Sequence, residues 1–295
     1  MTLEVAGASV PWLYPFLVAC LISLLTSTAG VSGAFLLLPF QISALGFTGP
    51  GVTATNHLFN VVAIPSGVYR YAREGRLLWP LAFVLVIGTV PGVVVGSLVR
   101  IYLLPDATRF KLFAGGVLLV LAARLVLRVV GRGHQTAPAA GSDGRVRVTR
   151  LAATRIEYEF GGSTHGIATG KLLLLSLAVG VVGGAYGVGG GAIIAPFLVS
   201  VARLPVHTIA GATLLATLLT SLVGVLFFAA LGPLIGQPRL TPNWPLGIVL
   251  GLGGLVGMYL GARIQRYLPP RAIETLLAVA TSWVGLSYVI TGMSQ

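Results

Sequence analysis

Gly183-Gly184-Ala185-Tyr186-Gly187-Val188-Gly189-Gly190-Gly191 interrupts an apolar stretch with more glycine than a continuous helix tolerates. Each glycine is about 1 kcal/mol less favourable than alanine in a helix interior, so the helix should open here. A shorter relative, Thr28-Ala29-Gly30-Val31-Ser32-Gly33, interrupts the first apolar stretch of the chain in the same manner. Both are followed by a short apolar run, near 33–46 and 190–202.

The surroundings of these breaks are lipid-compatible. Of 295 residues, 56% are hydrophobic and 9% charged, with mean hydropathy +0.94. Soluble domains carry about a quarter charged residues, so the chain reads as a polytopic membrane protein. Disordered, collagen-like and cytosolic-enzyme classes are excluded on the same ground. The net charge of +12 does not point to nucleic acid, because the basic residues gather in loops: Arg70, Arg73 and Arg76; Arg128 to Lys171; Arg263, Arg266 and Arg271. That is the pattern expected of cytoplasmic loops, which also meet anionic lipid. A single cysteine, Cys20, allows no internal disulfide.

Ten apolar runs are legible, at about 11–29, 33–46, 52–69, 79–101 and 108–130, then 170–186, 190–202, 208–232, 244–262 and 272–291. A full crossing needs about 20 residues, so the second run of each half is too short to cross comfortably. The halves are copies. At an offset of 157, Gly30, Val31, Gly33, Pro39 and Phe40 meet Gly187, Val188, Gly190, Pro196 and Phe197. At an offset of 165, Trp79-Pro80-Leu81 meets Trp244-Pro245-Leu246, and Gly88, Gly92 and Gly96 meet Gly253, Gly257 and Gly261.

The expected fold is therefore an all-α polytopic membrane protein of two inverted repeats. Each has about five helical segments, the first two short or broken in a re-entrant manner. The divisions are 1–130, a cytoplasmic linker at 131–169 carrying one strand-like stretch (Arg145 to Arg150), and 170–295. Repeats joined by one linker suit a secondary transporter with its substrate site between them. Loop charge places Arg70 to Arg76 and Arg263 to Arg271 inside and both termini outside; Arg100, Arg109 and Lys111 then lie outside, against the trend. Glycines at every fourth residue in the long helices read as close helix packing.

The breaks invite a different reading. Unwound backbone at membrane depth is tolerated only where it is buried in protein or lines a water-filled cavity. Each break precedes a new helix, whose free N–H groups and positive dipole end suit an anion; a packed kink is the competing reading. Asn56 and Asn60 lie one turn apart and align with Thr213 and Thr217 of the second half, a polar stripe that either completes an oxyanion site or bonds helices together. His57 is the one ionisable side chain deep in a predicted span, placed either to bind or to titrate with the anion, or to be satisfied by a neighbour. No Asp or Glu lies deep in any run, so a carboxylate proton relay is missing.

The motifs Gly30-Val31-Ser32-Gly33 and Gly187-Val188-Gly189-Gly190-Gly191, each followed by Pro-Phe, make the chain resemble the TauE/SafE family of sulfite and organosulfonate exporters. So do Ala54-Thr55-Asn56-His57-Leu58-Phe59-Asn60 and the stretch Tyr69 to Arg76 ahead of Trp79-Pro80-Leu81. The resemblance covers nearly the whole chain outside 131–169. It implies an inner-membrane permease moving sulfur-containing anions such as sulfite or sulfoacetate, usually outward. Ala212-Thr213-Leu214 departs from the polar triplet of many relatives.

The candidate substrate-binding set is Thr28, Gly30, Ser32, Gly33, Asn56, His57, Asn60, Gly187, Gly189, Gly190, Gly191, Thr213 and Thr217. The expected partners are the anion, membrane lipid and, for assembly, a second copy of the chain as a homodimer; nucleic acid, metal and cofactor are not expected. A small-anion channel and an importer of an inorganic sulfur oxyanion stand as alternatives. An enzyme is not expected, since no intramembrane acidic pair, no HExxH and no Ser or Cys beside a plausible base is present.

Overall fold

The computed structural model describes residues 2–28, 32–75, 77–130, 147–151, 155–160, 163–200, 206–264 and 270–294. Every apolar run becomes helical. The first half holds α1 (Leu13–Thr28), α2 (Ala34–Ser43), α3 (Gly51–Ala63), α4 (Pro65–Arg73), α5 (Trp79–Tyr102) and α6 (Ala107–Val130). The second holds α7 (Thr169–Tyr186), α8 (Gly190–Ser200), α9 (Val206–Leu234), α10 (Trp244–Ile264) and α11 (Pro270–Met293).

Six of these, α5, α6, α7, α9, α10 and α11, are long and apolar enough to span a bilayer, while α1 is a shorter apolar helix of 16 residues. The helices α2 and α8, of 10 and 11 residues, reach only about half of a 30 Å hydrocarbon core at 1.5 Å per residue. Large apolar side chains such as Phe83, Ile87, Leu127 and Trp283 point outward from the bundle, a surface that only lipid accommodates. This is a multi-pass membrane protein.

Two expectations change. The third run of the first half is not one helix: Pro65 lacks the N–H that would bond back one turn, so α3 stops at Ala63 and α4 begins anew at Pro65. Its counterpart α9 runs unbroken through 29 residues. Nor is the chain all-α. Strands β1 (Thr2–Val5) and β2 (Ala8–Pro11) form a hairpin whose two loop residues, Ala6 and Gly7, both have positive φ, as a type I′ turn demands. Between the halves, β3 (Arg147–Leu151), β4 (Arg155–Phe160) and β5 (Ser163–Ala168) form an antiparallel sheet in that order. The strand-like stretch at 145–150 enters β3 from Arg147; Arg145 and Val146 lie outside the described residues. The period-two pattern of β4, with Ile156 and Tyr158 buried between exposed Arg155 and Glu159, is easily overlooked in a charged linker.

Packing follows the repeat. The helix of the first apolar run in each half lies along the helix of the fourth run in the other, α1 on α10 and α7 on α5. The helices α3 and α9 of the third runs meet at the centre, α3 also packing on α10 and α9 on α5, and the helices α6 and α11 of the fifth runs pair. Exchanging the halves maps this set of contacts onto itself. The glycine stripes form the seams: a Cβ at Gly92 would strike the Leu177 carbonyl and Gly180 of α7, and one at Gly257 the Cys20 carbonyl of α1.

The short helix α2 is tied to the second half through its proline. Pro39 cannot donate to the carbonyl of Phe35, one turn back, and the Tyr186 hydroxyl of α7 donates to that carbonyl instead at 2.8 Å. The Tyr288 hydroxyl of α11 donates to the Pro39 carbonyl at 3.1 Å. Tyr186→Phe leaves a buried carbonyl without a donor, so a loss of about 1–3 kcal/mol in stability is expected, readable as a lowered thermal midpoint in detergent. An unchanged midpoint would show that the bond contributes nothing.

Candidate functional site

Both helices break where the glycines stand. In the second half α7 ends at Tyr186 and α8 starts at Gly190. Gly187 is left-handed (φ 89°), and its N–H and that of Val188 both donate to the Gly183 carbonyl, at 2.8 and 3.0 Å, a Schellman-type end. Gly189 is also left-handed (φ 75°). The helix end thus consumes two of the amides that the break exposes. Those at the start of α8 are left without an intrahelical acceptor. In the first half α1 ends at Thr28 and α2 begins at Ala34 after Gly33. Gly30 and the side chain of Thr28 lie outside the described residues.

Asparagines of α3 join the two breaks. Asn56 Nδ2 donates to the carbonyls of Ala34 (2.9 Å) and Gly187 (3.1 Å), one from each half. Asn60 repeats this one turn on: its Oδ1 accepts from Ser32 Oγ at 2.8 Å, and its Nδ2 donates to the Val188 carbonyl (3.1 Å) and to Ser221 Oγ (3.2 Å). Ser32, Asn56, His57, Asn60 and Ser221 are all fully or almost fully buried. An isolated amide or hydroxyl at this depth would be costly, which explains why the network is so fully bonded.

His57 lies on the same helix with Nδ1 at 3.3 Å from Ser221 Oγ, its ring against Gly224 of α9, where a Cβ would come within 2.6 Å of the imidazole. Its Nε2 makes no hydrogen bond of good geometry. The Oε1 of Gln41 is likewise unbonded, while its Nε2 donates to Asn56 Oδ1 at 3.2 Å and to the Leu37 carbonyl at 3.3 Å. Two buried polar atoms are thereby left over at the edges of the network.

The threonine stripe behaves differently from the asparagines. Thr213 Oγ1 donates to the Ile209 and Ala210 carbonyls, and Thr217 Oγ1 to that of Thr213, so both hydroxyls turn back onto α9. Their helix nonetheless seats the second break closely. A Cβ on Gly191 would overlap the Thr213 carbonyl, one on Gly189 would meet Ser221 Oγ at 2.9 Å, and one on Gly190 would meet Thr89 of α5. A Cβ on Gly187 would lie 2.6 Å from the Thr53 carbonyl, and one on Gly33 3.0 Å from Ser23 Oγ of α1.

Ser32, Asn56, His57 and Asn60 thus gather with Gly187, Gly189, Gly190 and Gly191, while Gly33, Thr213 and Thr217 contribute shape. Two members were missed by sequence reasoning. Ser221 continues the Thr213, Thr217 spacing by one more turn, a signal that was present. Gln41 is the lone amide of an otherwise apolar run. Among the described residues no group of His, Cys, Asp or Glu could hold a metal ion.

Comparison with known proteins agrees with the architecture. The family profile described as "Sulfite exporter TauE/SafE" matches residues 15–288. A "Probable membrane transporter protein" of Xylella fastidiosa (strain Temecula1 / ATCC 700964) is 25% identical over 233 residues, covering 79% of this chain and 76% of that protein. The "Probable membrane transporter protein YunE" of Bacillus subtilis (strain 168) is 22% identical over 229 residues, covering 77% and 76%. No solved structure matches. With a family match across almost its whole length and six helices able to cross a bilayer, the chain belongs to the TauE/SafE family of membrane transporters.

Proposed function

We propose that this chain is a secondary carrier of the inner membrane that exports a sulfur-containing oxyanion, sulfite or an organosulfonate such as sulfoacetate, from a site between two inverted repeats. One observation carries the reading: Asn56 and Asn60 join the break of each half in a single buried polar cluster. A sulfur oxyanion presents acceptor oxygens, and the groups gathered here that can donate are amides, hydroxyls and an imidazole; among the described residues no carboxylate bonds to this cluster. Exchange of the halves preserves the packing, which suits rocking of one repeat against the other about a fixed site.

A carrier fits better than a channel because the cluster is buried and internally bonded. An anion reaches it only if the halves separate and the Asn60 bonds to Val188 and Ser221 exchange for bonds to the substrate. Coupling rests on His57, on the substrate's own proton or on the membrane potential. On this reading the 131–169 linker and Arg70 to Arg73 face the cytoplasm and both termini lie outside. Reporter fusions at the C-terminus should be active only outside; cytoplasmic activity would reverse the orientation.

Purified protein reconstituted in vesicles should catalyse saturable counterflow of sulfite or sulfoacetate. The same anions should raise its thermal midpoint, since a ligand at 100 times Kd stabilises by about 2.7 kcal/mol. Failure of every sulfur oxyanion in both assays would overturn the assignment. His57→Gln is a clean probe of the site, because the imidazole makes a single side-chain bond, to Ser221, that an amide can replace. Substrate affinity should fall several-fold while the unliganded midpoint stays close to wild type; unchanged affinity would remove His57 from the site.

A further inference from the structure

Among the described residues, Arg100 is the largest of the fully buried side chains. It sits in the last turn of α5, and its guanidinium is held entirely by uncharged groups. Nε donates to Thr53 Oγ1 of α3 at 3.2 Å, one terminal nitrogen to the Thr48 carbonyl at 3.2 Å, the other to the Leu104 carbonyl. The ring of Phe110 on α6 lies 3.7 Å from its central carbon. Among the described residues no carboxylate comes within ion-pair distance of it. The acidic residues at this end of the bundle are otherwise engaged, Glu4 by Ser9 and Asp106 by Arg109.

A buried cation without a counter-charge is costly, and a mere staple between loops does not require one. The second half does without it: at the offset of 165, Gln265 stands where Arg100 stands in the first. On the proposed orientation Arg100 also lies outside, against the usual distribution of basic residues. Its position relative to the site is direct. Thr53, which accepts from Arg100, donates in turn to the Ala185 carbonyl at 3.3 Å, and the Thr53 backbone is what a Cβ on Gly187 would strike. One threonine separates the guanidinium from the break in the second half. Exposed Arg239 adds positive charge to the same end, where its carbonyl and that of Thr241 abut Gly51.

We propose that Arg100 is the anion contact at one mouth of the transport site. As that end opens, its planar fork exchanges the Thr48 and Leu104 carbonyls for oxygens of the anion and passes it across Thr53 to the Gly187–Gly189 break. The uncharged acceptors suit this role, since a carboxylate partner would compete with the substrate, whereas a neutral carbonyl yields to an oxyanion that both neutralises the guanidinium and accepts from its fork at two oxygens. The inference rests on the carrier reading above and adds a residue and a charge preference to it.

Counterflow in proteoliposomes with sulfite, the dianion sulfoacetate and the monoanion methanesulfonate tests the proposal on wild type, R100Q and R100K. For R100Q, KM for sulfoacetate should rise roughly tenfold or more, and by a clearly larger factor than for methanesulfonate, with kcat changed less than KM. A staple has no reason to distinguish one charge from two, so equal losses for both anions, or unchanged KM for both, would overturn the proposal. Should R100Q fail to fold, R100K carries the test. It keeps the charge but not the fork, so KM for sulfite should rise at least threefold at an unchanged unliganded midpoint. An unchanged KM there overturns it. If wild-type protein moves none of the three anions, the carrier reading falls and this inference with it; insensitivity of R100Q and R100K in an active wild-type background removes the inference alone.

Discussion

Asn60→Leu is expected to abolish transport and to lower the stability of the purified protein by about 3–5 kcal/mol, a shift of its thermal midpoint on the order of ten degrees. The side chains are similar in volume, so the effect is one of hydrogen bonding rather than of a cavity. The change strands three buried groups at once: Ser32 Oγ, the Val188 carbonyl and one bond of Ser221 Oγ. Each lost partner costs about 1–3 kcal/mol when no water can replace it. Asn60→Asp separates the two functions of the amide. It keeps an acceptor for Ser32 but turns an acceptor towards the Val188 carbonyl and adds a negative charge where an anion is to bind. It should therefore abolish transport as the leucine does, even though its shape is conserved. A midpoint for Asn60→Leu within two degrees of wild type would show that the two breaks are held together by something else.

Fewer variants report on binding alone than the sequence suggests. Asn56→Ala or a bulky residue at Gly189 looks, from the sequence, like a probe of the substrate site that spares the fold. In the structure Asn56 bridges the Ala34 and Gly187 carbonyls, and Gly189 is left-handed with Ser221 and Thr217 against it. Both substitutions should cost stability as well as affinity, which leaves His57→Gln and the Arg100 variants as the informative probes.

What the sequence made legible was whatever is encoded locally. Ten apolar runs, the two interruptions and the glycine stripes depend on neighbouring residues, and each corresponds to a helix, a helix end or a seam. The asparagine pair was recognisable because two amides one turn apart in an apolar run need a purpose. Long-range partners were not legible. Asn60 meets Val188 and Ser221 across separations of 128 and 161 residues, and Tyr186 completes Phe35 across 151. No local pattern marks Tyr186 as the donor to the carbonyl that Pro39 leaves free. Arg100 was visible only as an exception to the charge distribution, and its burial under Phe110 depends on where the turn after α5 places the first residues of α6. The hairpin at the N-terminus escaped because Ala6 is an unusual residue at positive φ, where Asn-Gly would have announced the turn.

Gly92→Leu and its repeat equivalent Gly257→Leu should each prevent recovery of folded, monodisperse protein, whereas Gly116→Ala should be neutral or stabilising by about 0.5–1 kcal/mol. All three are helical glycines, and the difference lies in what stands opposite. A Cβ at Gly92 comes within 2.5 Å of the Leu177 carbonyl and 2.8 Å of the Gly180 Cα, and one at Gly257 would overlap the Cys20 carbonyl. These are backbone atoms of a packed helix and cannot swing aside, so a side chain there must push α5 from α7, or α1 from α10, along its whole length. A Cβ at Gly116 meets nothing within 4 Å. The intermediate case is instructive. Gly92→Ala should fold with a loss of about 1–3 kcal/mol, the usual cost of overpacking. If the seam is also the surface on which the repeats slide, its transport rate should fall further than the stability loss explains, because a methyl wedged between backbones catches on each turn it must pass. Equal stability of Gly92→Leu and wild type in size-exclusion and thermal measurements would mean that α5 and α7 do not meet at these glycines, and the pairing of α7 with α5 and of α1 with α10 across the halves would have to be abandoned.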